Sequence, residues 1–163
     1  LGEGGTVELV AGEWFRSTHG PWVVPGSGII VYDNGGELGD DLGFSRAVEY
    51  RLDTPNPGQA GTPASVPWKP VATQVWSYEN DFFTPYVGNV QRLENGHTLI
   101  CDGARLVPAD GEVRVEPYIQ EIAVSPPKVV SRIVVRNQAG DDQGLGWFVY
   151  RAFRIPAGRF GGI

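Results

Sequence analysis

Two stretches of this chain are written on the same plan, and that repetition limits the fold more than any other feature. His19-Gly-Pro-Trp-Val-Val-Pro-Gly-Ser-Gly-Ile-Ile-Val-Tyr-Asp-Asn-Gly35 reads as a strand, a glycine turn and a second strand closing on Asp-Asn-Gly. Gly88-Asn-Val-Gln-Arg-Leu-Glu-Asn-Gly-His-Thr-Leu-Ile-Cys-Asp-Gly103 again reads as strand, turn and strand, closing on Asp-Gly. Further short strands follow each, one of them aromatic. An imperfect repeat of about 70 residues built only from strands points to an all-β chain of antiparallel four-stranded blades. A blade takes about 40–50 residues, so this chain supplies roughly three blades at most. Such a partial ring would leave strand edges and blade faces open, which soluble proteins avoid. The expectation is therefore a partner covering both flanks: another polypeptide, a missing N-terminal segment, or a second copy.

The length of 163 residues corresponds to one domain, 1–163, with one repeat unit over about 14–79 and a second unit plus closing strands over 86–156. Gly 23 and Pro 13 make up more than a fifth of the chain, the composition of short strands joined by tight turns. A net charge of −6 argues against nucleic acid or an anionic membrane as partner. No apolar run is long enough to span a bilayer, so membrane insertion is not expected, and no signal peptide is written. The single cysteine, Cys101, excludes an internal disulfide and reads as a small buried hydrophobe. The chain holds no methionine and starts at Leu1, so a processed product, a domain or a fragment is expected.

Along the chain, residues 5–10 form a short strand, and 21–24 with 28–33 a hairpin around Pro25-Gly26-Ser27-Gly28. Residues 33–43 are a polar, glycine-rich loop. Residues 44–53 alternate cleanly, 54–70 form a long proline-rich loop, and 72–79 form a strand packing through Val75 and Trp76. Strands 86–93 and 97–102 turn at Glu94-Asn95-Gly96, and 104–108 with 112–119 turn at Pro108-Ala-Asp-Gly111. Residues 128–137 and 145–155 are read as two longer closing strands. No window pairs an N-cap with a sustained helical period.

Five phrases in order resemble the arylsulfotransferase family of six-bladed β-propellers. They are His19 with its strand–turn–Ile-Val-Tyr-Asp-Asn-Gly35, Ser45-Arg-Ala-Val-Glu-Tyr50, Gln74-Val-Trp-Ser-Tyr78, Gly88-Asn-Val-Gln-Arg-Leu-Glu-Asn-Gly-His-Thr-Leu-Ile100 and Tyr150-Arg-Ala-Phe-Arg-Ile-Pro156. They run in register over about residues 14–156, and the match is to the C-terminal part of such a protein, about its last two to three blades. The resemblance implies sulfuryl transfer between phenols through a channel histidine, with a small aryl or anionic substrate, no cofactor and no metal, in a secreted or periplasmic protein. The residue matching the family histidine is His19. Asn34 joins it as a catalytic candidate, and Asp33, Arg46 and Trp22 are candidates for ligand binding. Where the family carries an arginine after Asp-Asn-Gly, this chain has Gly36-Glu37-Leu38.

Each of these residues has a plainer reading beside the functional one. His19 also suits a hydrogen-bonded structural histidine at a strand start, and Asp33-Asn34-Gly35 an Asx-type turn. Trp14, Trp22, Trp76 and Trp147 suit ordinary core as well as an aryl site. His97 sits beside an Asn-Gly turn. The pairs Asp40-Asp41 and Asp141-Asp142 lack the spacing of a calcium loop and read as solvated. Arg151 and Arg154 suit an anion site or ion pairs between blades. Besides sulfotransfer, the sequence leaves open a non-catalytic propeller module for binding or scaffolding, and a lyase or hydrolase using the same channel.

Overall fold

The computed structural model describes residues 1–36, 43–53, 70–109, 111–137 and 146–156. Eleven strands and no helix are formed among them. Strands β1 (Glu8–Ala11), β2 (Thr18–Val24), β3 (Gly28–Asp33), β4 (Arg46–Asp53) and β5 (Val71–Glu79) make one sheet in the order β1-β5-β4-β3-β2. Strands β6 (Asn89–Arg92), β7 (Thr98–Asp102), β10 (Tyr118–Val124) and β11 (Pro127–Val134) make a second, ordered β11-β10-β7-β6. Between β7 and β10, β8 (Leu106–Ala109) and β9 (Glu112–Val115) form a separate hairpin. Each sheet thus holds a four-stranded antiparallel meander, and the first gains β1 as a parallel edge strand on β5.

The hairpin turns fall where glycine permits them. At Gly28 the backbone has φ +154° and a Cβ would lie 2.2 Å from the Tyr50 carbonyl oxygen, so only glycine lets β3 lie this close to β4. The two sheets pack face to face. Ile30, Tyr32 and Ala47 of the first meet Val90, Ile100 and Ile122 of the second, all essentially inaccessible to water. The opposite face of the first sheet presents Val31, Val48, Tyr50 and Ala72, and the N-terminal segment covers it with Val7, Leu9, Trp14 and Phe15. This explains why β4 is buried on both faces: Ala47 faces one cluster while Val48 and Tyr50 face the other. Burying each valine or isoleucine of these clusters contributes about 1.5–3 kcal/mol. On the second sheet, β11 carries exposed apolar residues, Val130, Ile133 and Val134 among them.

Two of the expected elements are different. Residues 112–119 do not form one strand: β9 stops at Val115, and Tyr118–Val124 is a separate strand pairing with both β7 and β11. Pro117 stands at the break, without an N–H to continue a ladder. The closing strand expected at 145–155 joins no sheet. Its backbone bonds other backbone at a few points, through an isolated bridge of Gly146 to Val115, Val149 N–H to the Gly103 carbonyl (3.0 Å) and Gly88 N–H to the Tyr150 carbonyl (3.3 Å), but beside β6 its partners are side chains. Asn89 donates to the Ala152 carbonyl (2.9 Å) and accepts from the Ala152 N–H (2.7 Å). Gln91 does the same for Arg154, at 3.1 and 2.9 Å. The two amides, spaced i and i+2 on one face of β6, stand in for a neighbouring strand's backbone. Glu37, the pairs Asp40-Asp41 and Asp141-Asp142, and most of the proline-rich stretch 54–70 lie outside the described residues.

Candidate functional site

His19 and Asn34, fifteen residues apart in sequence, meet at one end of the first sheet. The β2–β3 pairing sets His19 opposite Tyr32, and β3 then runs on into Asp33-Asn34-Gly35. Beyond His19 the register slips before Trp22, so Gly20-Pro21 forms a bulge. Bulges re-aim neighbouring side chains and give proline a place in a sheet. Gly20 has φ +48° and lies so close to β6 that a Cβ would sit 2.2 Å from that of Asn89.

The His19 Nδ1 to Asn34 Oδ1 distance is 2.7 Å. The amide of Asn34 is fully buried, and its nitrogen donates to the Thr84 carbonyl (2.7 Å) and the Val87 carbonyl (3.1 Å). Carbonyl oxygens only accept, so the amide can stand only one way round, with Oδ1 toward the histidine. That oxygen is itself an acceptor, so His19 carries its proton on Nδ1. In the neutral ring the Nε2 lone pair is left bare, the form in which imidazole acts as nucleophile or general base. The cradle is further tied by Ser45, whose hydroxyl donates to the Asn34 carbonyl (2.9 Å) and accepts from the Thr84 N–H (2.8 Å).

Asp33 and Arg46 lie beside this pair but turn inward. Asp33 Oδ1 accepts from the backbone N–H groups of Arg16, Ser17 and Gly35, and Oδ2 accepts from Arg46 Nε at 3.0 Å. Arg46 also donates to the Trp14 carbonyl (3.0 Å) and faces Glu13 at 3.6 Å. Both are buried, and they tie the N-terminal segment to the ends of β3 and β4. Trp22, beyond the bulge, belongs to a separate cleft with Phe153. The fold therefore unites His19 with Asn34, pairs Asp33 with Arg46, and places Trp22 elsewhere.

Sequence reasoning passed over Asp102, which ends β7 as Asp33 ends β3. It lies between the two sheets, fully buried, accepting from the Tyr32 hydroxyl (2.8 Å), the Asn80 amide (2.7 Å) and the Gln120 amide (2.5 Å). Gln120 in turn accepts from Arg132 at 2.6 and 2.9 Å. Burial pushes the Asp102 carboxyl up to about 6, against the pull of these donors. Burial likewise raises the Tyr32 hydroxyl well above its ordinary value, helped by the Asp102 charge. The only hint in the sequence was the repeat itself, which puts an aspartate at the end of the equivalent strand. Cys101 is buried as expected, with its thiol pushed up to about 12 by burial and the Asp102 charge.

His97 is held by Glu121, Nδ1 to Oε1 at 2.8 Å. The Glu121 carboxyl is lowered to about 2, first by its bond from Arg154 and then by Asn95 and His97. Among the described residues no group of His, Cys, Asp and Glu side chains is arranged to hold a metal ion, and no helix is long and apolar enough to cross a membrane.

These features define an all-β protein of packed antiparallel meanders with a histidine held in one tautomer by a buried amide. The sequence model of the arylsulfotransferase (ASST) family matches residues 9–147, and the chain belongs to that family. Searches of curated proteins and of solved structures return no match to the chain.

Proposed function

We propose that this chain forms part of an arylsulfotransferase-type β-propeller in which His19 carries the sulfuryl group. The two meanders are read as neighbouring blades, within units spanning about 14–79 and 86–156, and the 146–156 segment as the start of a third. The ring is completed by further polypeptide, and secretion or the periplasm is the setting the family suggests. In the reaction, His19 Nε2 attacks the sulfur of an aryl sulfate, an N–S bond forms, and the S–O(aryl) bond breaks to release the phenolate. The positive charge that develops on the ring lies against Asn34 Oδ1. A phenol acceptor then attacks the same sulfur, the N–S bond breaks, and the acceptor's proton passes to the phenolate or solvent.

The observation that carries this reading is the His19–Asn34 bond, with the amide locked by two carbonyls, inside a family match. The test is the rate of phenol release from an aryl sulfate by the assembled protein, compared with His19→Ala. Loss of turnover with folding retained is expected; unchanged turnover removes His19 from the mechanism. One observation favours the rival reading of a non-catalytic binding or scaffold module: Arg46, a candidate anion holder beside His19, is already neutralised by Asp33. A chain that folds, assembles and turns over no aryl sulfate would support that rival.

A further inference from the structure

A concave site lies away from His19, and the sulfuryl-transfer reading does not use it. It is a cleft of about 600 Å³ between the far end of β2, the β6–β7 turn and residues 153–156. Trp22, Leu93, Phe153, Ile155 and Pro156 make its apolar walls. That volume falls in the range of small-molecule sites. Trp22 and Phe153 are 6.1 Å apart, tilted by 40°, so a third ring cannot pass between them and must stack on one face of the angled wall they make. Phe153 remains 51% exposed, so this wall is open to a visitor.

The cleft is preformed. Gln91 bonds both backbone groups of Arg154, and the Arg154 guanidinium is held at 2.6 Å by Glu121, which Asn95 and His97 also hold. Its charges decide what it can take. Both arginines of the lining are neutralised: Arg154 by Glu121, and Arg92 by Glu49 while it lies 4.9 Å over the Trp76 ring. Glu94 at the rim has no ion-pair partner among the described residues. An anion thus finds no free cation, whereas a positive charge finds a carboxylate and an indole face.

We propose that this cleft binds a flat aromatic cation, stacked on the Trp22–Phe153 wall with its charge toward Glu94. The inference goes beyond the His19 reading and stands independently of it. The test titrates the chain with probes sharing a fused two-ring core and differing in charge: N-methylquinolinium, quinoline and 2-naphthoate, near neutral pH and low salt, followed by calorimetry and tryptophan fluorescence. The cation is expected to bind about fivefold or more tightly than quinoline, and 2-naphthoate most weakly. Trp22→Ala is expected to abolish binding, Glu94→Gln to bring the cation level with quinoline, and His19→Ala to leave the titration unchanged. Equal binding of all three probes, or binding indifferent to Trp22 and Glu94, overturns the proposal. Binding that appears only after the chain is cut behind Pro156 would assign the cleft to the chain's own tail, and a dimer lost in Trp22→Ala would assign it to a second copy; either result overturns it too.

Discussion

At neutral pH this fold holds a buried carboxylate between its two sheets, and that makes a signed prediction about stability. Asp102 is fully buried and its folded value is about 6, desolvation outweighing the bonds from Tyr32, Gln120 and Asn80. An unfolded aspartate titrates near 3.9, so the folded protein binds this proton more tightly than the unfolded chain. The contribution is therefore most favourable below about pH 4 and declines as pH rises through 6. A difference of about two units corresponds to roughly 3 kcal/mol, of which about 2 kcal/mol falls between pH 4 and pH 7. Asp102→Asn removes the titration but keeps the shape. Its NH₂ must face the Gln120 amide or the Tyr32 and Asn80 donors, a mismatch whose cost does not vary with pH. Urea unfolding of both proteins at pH 4, 5, 6 and 7 isolates the effect, because other carboxylates, such as Glu121 held at about 2, cancel in the difference. The wild type should lose about 2 kcal/mol relative to the variant from pH 4 to pH 7. A difference that stays constant, or moves the other way, refutes the assignment of a buried, reluctantly ionised Asp102.

Three further outcomes are expected. Asn34→Ala frees the His19 tautomer and should lower kcat roughly ten- to hundredfold with KM little changed, while ¹⁵N NMR shows the Nδ1 proton of His19 no longer fixed. Gly20→Ala drives a Cβ to within 2.2 Å of the Asn89 Cβ at φ +48° and should cost about 2–3 kcal/mol in a urea melt, an effect Ala at the open turn residue Gly26 should not match. Asn89→Ala removes both backbone bonds of Ala152, so amide exchange at Ala152 and proteolysis within 147–156 should accelerate while the β3–β4 amides keep their protection.

Much of the strand order was written in the chain. Glycines at the turns and period-two alternation placed β3, β4, β5 and β7 within a residue or two, because these strands combine a sharp turn with a buried face. The 145–155 stretch misled because alternation shows only that a segment is extended. It does not say whether its hydrogen-bond partners are a neighbouring backbone or, as at Ala152 and Arg154, the amides of Asn89 and Gln91. Tyr118–Val124 was hidden because its neighbours in sequence, β8 and β9, form their own hairpin beside it. His19 and Asn34 were both legible as motif residues, but their contact was not, since it depends on the carbonyls of Thr84 and Val87 some fifty residues away. The Asp102 network could not be read at all: Tyr32, Asn80, Gln120 and Arg132 come from four separate places in the chain and meet only when the sheets pack.

If the bare Nε2 of His19 is the atom that takes up sulfur, the modified residue should be caught in place. The assembled protein would be mixed with an aryl sulfate and no acceptor, quenched at alkaline pH to preserve an N–S bond, digested and read by tandem mass spectrometry. One sulfuryl group on the peptide containing His19, absent in His19→Ala and discharged by added phenol, is the outcome the proposed function predicts. Phenol release with the group on another residue, or with no modified peptide at all, would contradict it.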